Sequence, residues 1–258
     1  AIYSVIGKLP PNGSLIKERP FRAPHHTITA KALCGGGTIP GPGEISLAHC
    51  GVLFLDELPE FHRETLEVLR QPLENGSMQI HRCGYTYDFP AQFMLVGAMN
   101  PCPCGFYPDL SRCHCSYTAV RRYQEKISMP LLDRIDMMIE VSALSYPQWN
   151  QTTQEMSSAQ MKKKVERVRE IQKERRKGQS FLFNSRMGNQ ELEEYCALGT
   201  QEKKLMKKAF DELKISARGY TKILKVARTI ADLEEKEWIQ TEHLQEALCY
   251  RTGSGIYQ

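Results

Sequence analysis

The sequence predicts an α/β core followed by an all-helical domain, and three observations carry that prediction. Two short runs, Val52-Leu53-Phe54-Leu55 and Phe93-Met94-Leu95-Val96, are apolar on both faces, as buried parallel strands are. All 14 prolines lie at or before Pro147, so the first half is broken into strands and loops while the second is free to form long helices. Charge divides at the same place: residues 1–150 carry 13 Lys+Arg against 14 Asp+Glu, and residues 151–258 carry 21 against 16. The polar stretch LSYPQWNQTTQEMSS, residues 144–158, is the expected linker between domains 1–145 and 146–258.

Between the two apolar runs, residues 60–71 read as a helix, with Phe61, Leu66 and Leu69 near one face and Pro72 as its stop. Residues 78–80 and 85–89 read as a hairpin around Cys83-Gly84. A helix near 117–127 precedes an expected third strand at 137–141. The second half reads as helices at 160–177, 191–198, 201–213 and 217–234, with a fifth running from an N-cap at Thr241 to Arg251.

With 258 residues, 41% of them hydrophobic and 25% charged, and a mean hydropathy of −0.44, the chain is globular rather than disordered. It has no run of roughly 18 apolar residues and no basic-then-apolar start, so neither a membrane span nor secretion is expected, and a cytoplasmic location is. Nine cysteines, an odd number without an export signal, fit reduced thiols. The net charge of +4 is a modest lean toward anionic partners.

Four features carry chemistry. The run 52–55 ends in Asp56 and Glu57; at the carboxyl end of a parallel strand the first carboxylate suits Mg²⁺ and the second suits polarising a water, although acidic residues also solubilise strand ends. The next run ends in Gly97-Ala98-Met99-Asn100-Pro101, which puts a carboxamide at the matching sheet edge; Asn-Pro is also ordinary turn chemistry. Leu131-Leu132-Asp133-Arg134-Ile135-Asp136 sets an arginine between two aspartates, either a surface pair or a finger toward a neighbour's phosphate. Ser216-Ala217-Arg218-Gly219-Tyr220 opens a helix with Arg218 in its first turn.

These features occur in one order within the strings RPFRAPHHTITAKALCGGGTIPGPGEISLAHCGVLFLDELPEF, GAMNPCPCG, PLLDRID and SARGYTKILKVARTIADLE. Together they resemble the magnesium-chelatase-like AAA+ ATPases, of the bacterial ComM (YifB) competence-protein type, over nearly the whole chain. The resemblance implies a P-loop NTPase core with a helical lid. It implies Asp56 and Glu57 as the Walker B pair, Asn100 as sensor 1, Arg134 as arginine finger and Arg218 as sensor 2. It also implies ATP and Mg²⁺ as cofactors, a hexameric ring of identical chains, and DNA as the partner moved during natural transformation. Residues 19–43 and 76–91 correspond to loops that face the pore in related motors. One departure stands out: no G-x-x-x-x-G-K-[ST] occurs, and Gly7-Lys8 lacks the glycine frame and the following Ser or Thr. The chain is therefore expected to begin downstream of that loop and, alone, to bind ATP poorly.

Cys102, Cys104, Cys113 and Cys115 form C-x-C-x₈-C-x-C; four thiolates suit tetrahedral Zn²⁺, with His114 as a substitute ligand and free thiols or disulfides as the alternatives. His25-His26 is not spaced for a shared metal and is assigned to the pore loop. The glycines at 35–37, 41 and 43 lack a lysine and a following helix, so a mobile loop is expected rather than a phosphate cradle. Residues 162–177 hold nine cations against three anions, either a solvated face with local pairs or a phosphate-contacting surface without aromatic residues for stacking. Two other functions stay open: a chelatase motor subunit inserting Mg²⁺ into a porphyrin, and a non-catalytic, zinc-stapled nucleic-acid-binding module.

Overall fold

The structure, a computed structural model, describes residues 2–7, 16–38, 40–82, 84–142, 146, 150, 156–176 and 183–252. The chain forms two units, residues 1–135 and 136–256.

In chain order the strands are β1 (Phe21–Arg22), β2 (Gly35–Gly36), β3 (Gly41–Pro42), β4 (Val52–Leu55), β5 (Ser77–Arg82), β6 (Tyr85–Pro90) and β7 (Met94–Gly97). The first unit is built on a parallel sheet of order β1-β4-β7, with Phe21 opposite Val52 and Leu55 opposite Gly97. The expected strands at 52–55 and 93–96 both form, the second shifted by one residue. Gly51 permits the sheet to close at its start, because a Cβ there would lie 1.9 Å from the Pro20 carbonyl oxygen, which accepts the Val52 N–H at 2.8 Å. One face of β4 is sealed: Leu53 and Leu55 are wholly buried, as are Leu33, Ile45 and Leu69 of the same unit. The other is more open than two-sided burial would have it: Val52 and Phe54 are half-buried, and Phe21 and Met94 are exposed.

Several expectations change. The span 60–71 is two short helices, Arg63–Glu67 and Arg70–Asn75, and Pro72 does not stop the second. It sits in the first turn, where an N–H would have no acceptor, and the helix ends at Gly76 in the left-handed conformation, φ 71°. Residues 137–141 are not a strand; Met138 donates its N–H to the Tyr250 carbonyl at 2.7 Å within the second unit, and the third strand of the sheet is β1 instead. The glycine-rich loop is anchored by β2 and β3, which pair so closely that a Cβ on Gly43 would come to 2.3 Å from the Gly35 nitrogen. The β5–β6 hairpin forms with Arg82 opposite Tyr85; Cys83 lies outside the described residues, as do Lys177 and most of the expected linker.

The second unit is helical: Ser158–Arg175, Asn189–Tyr195, Thr200–Leu213, Ala217–Leu233 and Thr241–Thr252. Ser157 and Gln160 form a capping box at the start of the first, and the Ser216 hydroxyl accepts the Gly219 N–H at 3.0 Å at the start of the fourth. Thr241 is the first helical residue rather than the cap; its hydroxyl donates to Glu202 at 2.8 Å, and the Gln240 N–H is met by His243 Nδ1 at 2.9 Å. Leu192, Met206, Ile223, Ala227, Leu244 and Leu248 anchor the apolar core. Beside it the wholly buried Asp232 accepts from Arg228 Nε at 3.0 Å, Asn184 Nδ2 at 2.8 Å and Arg175 Nη1 at 2.9 Å.

A buried carboxylate facing two guanidinium groups is costly to remove, because both cations then stay buried without it. Asp232→Ala is expected to lower the unfolding free energy by about 3–5 kcal/mol, read by urea denaturation.

Candidate functional site

The parallel pairing of β4 with β7 sets the candidate site. Beyond Leu55 the Ala98 N–H donates to the Leu55 carbonyl at 2.9 Å, and the Leu58 N–H returns to the Ala98 carbonyl at 2.9 Å. Asp56 and Glu57, leaving β4, and Asn100, leaving β7, therefore emerge side by side at the carboxyl edge, all three exposed. Glu57 lies in the left-handed region, φ 53° and ψ 47°, which a non-glycine residue adopts at a cost of about 1–2 kcal/mol. Asp56 Oδ1 accepts the Glu57 N–H at 2.9 Å, and the Glu57 carbonyl accepts the Glu60 N–H at 2.7 Å, so the turn is held from both sides.

A residue that sequence reasoning assigned elsewhere also reaches this edge. His26 Nδ1 lies 3.0 Å from Glu57 Oε2. Its ring rests on His25 with centroids 4.1 Å apart, and presents an edge contact to Phe61 at 6.4 Å. The segment that carries it leaves β1, whose Arg22 grips Glu44 through two hydrogen bonds of 2.6 and 2.7 Å; those bonds raise the Arg22 pKa. Only the pairing of β1 with β4 brings His26 to Glu57, and a two-residue strand carries no periodicity from which that pairing can be read.

Two residues after Asn100 the chain enters the cysteine loop. The Sγ atoms of Cys102, Cys104, Cys113 and Cys115 all lie within 4.8 Å of one another. Three of the separations are 3.3, 3.6 and 3.8 Å. Four sulfurs at tetrahedral Zn–S distances of about 2.3 Å would stand roughly 3.8 Å apart, so the donor set fits zinc. Cys102 and Cys113 are buried, and the Tyr107 N–H points at Cys102 Sγ at 3.4 Å. The Phe106 backbone N–H, with hydrogen bonds from the other three thiols, lowers Cys104 to about 6. The Cys115 backbone favours the Cys113 thiolate, but burial and the Cys104 and Cys102 sulfurs outweigh it and push Cys113 up to about 12.

The sequence pattern of magnesium chelatase subunit ChlI matches residues 1–149, and that of the subunit's C-terminal region matches residues 155–251. The chain belongs to the magnesium chelatase ChlI family. It is 48% identical over 243 residues to the competence protein ComM of Haemophilus influenzae, covering 94% of this chain and 47% of that protein. It is 42% identical over 236 residues to the YifB proteins of Salmonella typhimurium and Escherichia coli, covering 91% of this chain and 46% of each. The chain thus spans about half the length of the curated relatives it matches.

The two arginines singled out in this family member lie in different units. Arg134 follows the Met129–Leu132 helix and folds onto its own unit: Nε donates to the Arg70 carbonyl at 3.1 Å, Nη1 to the Pro130 carbonyl at 2.7 Å, and Nη2 to Glu74. Arg218 is exposed in the first turn of the Ala217–Leu233 helix. On the Ser158–Arg175 helix only Val168 and Gln172 are buried. No described helix is long and apolar enough to cross a membrane.

Proposed function

We propose that the protein carrying this chain is a ring-forming AAA+ ATPase that couples ATP hydrolysis to the remodelling of DNA, with branch migration during transformation as its setting. The observation that supports this most is the sheet edge at which Asp56, Glu57 and Asn100 emerge from adjacent parallel strands in a ChlI-family chain. The similarity to the competence protein ComM over 94% of the chain favours that branch of the family over a porphyrin chelatase.

In this reading the Asp56 carboxylate, a hard oxygen donor, holds the Mg²⁺ that accompanies ATP, and that ion supplies charge neutralisation on the phosphates. Glu57 accepts the proton of the attacking water, and Asn100 donates its amide to orient that water and the terminal phosphate. Arg134, released from Glu74, stabilises transition-state charge in the adjoining subunit of the ring, and Arg218 reports phosphate occupancy to the helical unit. His26 holds the Glu57 carboxylate at the angle from which it acts. Cys102, Cys104, Cys113 and Cys115 hold a structural Zn²⁺.

The decisive experiment is Glu57→Gln in the full-length protein, which is expected to abolish ATP turnover while nucleotide still binds. Turnover at the wild-type rate would sink the assignment. His26→Ala, which leaves the carboxylate in place but without its partner, is expected to lower turnover roughly ten- to a hundredfold at unchanged KM for ATP.

A further inference from the structure

The cysteine loop and the sheet edge are joined more tightly than their separate roles require. Asn100 is two residues from Cys102, and Cys102 is wholly buried. The intervening Pro101 carbonyl accepts a hydrogen bond of 3.0 Å from Gln124 Nε2, and Gln124 is itself buried in the Tyr117–Gln124 helix. Gly105 then turns the loop back with φ +83°, so that a Cβ at this position would lie 3.9 Å from the Asn100 carboxamide carbon. The carboxamide thus stands against the turn that the thiols close.

That turn has little apolar packing of its own. Its apolar core consists of Cys102, Cys113 and Val120, with Tyr107 and Cys115 packed against it. Two of its three buried members are the thiol-bearing residues themselves, so the packing of the loop depends on the sulfurs being held together. Four thiolates with their sulfurs all within 4.8 Å of one another repel, and a cation placed among them offsets that repulsion.

We propose that the cysteine loop is the positioning device for Asn100: one thiophilic divalent cation on Cys102, Cys104, Cys113 and Cys115, with Gln124 gripping Pro101, fixes the carboxamide at the Asp56–Glu57 edge. Gln124 is a positioning residue, acting through the Pro101 carbonyl. The effect on turnover rests on the reading of Asn100 as the water-orienting group; the mechanical coupling of metal to Asn100 does not.

The test uses the full-length protein loaded with Zn²⁺ and then stripped by a chelator. Amide hydrogen exchange is followed on peptides spanning residues 98–106 and 52–56, beside steady-state ATP hydrolysis. Stripping is expected to raise exchange in 98–106 about tenfold and to leave 52–56 unchanged. Turnover is expected to fall about tenfold at unchanged KM, and to return when Zn²⁺ is restored. Gln124→Ala, which keeps all four thiols, is expected to retain one zinc per chain by elemental analysis and still to lose about tenfold in turnover at unchanged KM. Unchanged exchange in 98–106 after stripping, or full turnover in the stripped protein, overturns the proposal. If Glu57→Gln leaves turnover intact, the ATPase reading fails, while the exchange comparison still decides whether the metal holds Asn100.

Discussion

Everything at the candidate site depends on the backbone hydrogen bonds that pair β4 with β1 on one side and β7 on the other. Parallel strands cannot be joined by a tight turn, so the residues that leave their carboxyl ends come from distant parts of the chain: His26 after β1, Glu57 after β4, Asn100 after β7. Their mutual placement is a matter of register. Sliding β4 by one residue would turn Leu53 and Leu55, both wholly buried, to the open face and carry Glu57 past both neighbours. Each buried leucine side chain contributes about 1.5–3 kcal/mol, so the register is pinned by the same side chains that build the core.

The pinned register has a local cost that the surrounding bonds offset. Glu57 occupies a backbone conformation that favours glycine, yet the turn around it is closed by the Leu58 N–H on Ala98, by the Glu60 N–H on Glu57 and by the Asp56 carboxylate. Strain of about 1–3 kcal/mol persists where the surroundings over-determine the geometry, and such positions gather where a side chain must be aimed. Here the aimed group is a carboxylate whose second fixed point, His26, arrives from the neighbouring strand.

How much of this was legible beforehand follows from the length scale of each signal. The run 52–55 was readable because four consecutive apolar residues, too few for a helix and closed by two carboxylates, suit a buried strand that ends at a sheet edge. The β5–β6 hairpin and the long helices declared themselves through alternation, capping residues and the lack of proline after Pro147. The four-cysteine loop was readable from the count of potential ligands, four thiols between Cys102 and Cys115, more than from their spacing. What failed was short or non-local. Residues 137–141 look like a strand, but β1 holds the place beside β4, and their backbone turns to Tyr250. Pro72 looks like a stop, but at the third position of a new helix its missing N–H has no consequence. His26 gave no local hint of Glu57, because its partner is chosen by a two-residue strand.

The basic helix of the second unit shows why net charge alone says little about what a surface does. Its cations are not equivalent. Arg175 is drawn into the buried cluster around Asp232, where it shares that one carboxylate with Arg228. Arg167 reaches Glu235 on exposed ground, and Lys162 and Lys173 pair with Glu166 and Glu170 along their own helix, contacts worth a few tenths of a kcal/mol each. The helix thus grades from a structural end at Arg175, tied to the Ala217–Leu233 helix through Asp232, to a solvated end at Lys162–Lys164. A count of charges sees one cationic segment. The structure separates a residue that holds two helices together from a row of lysines whose charges are mostly spent on water and on neighbours one turn away.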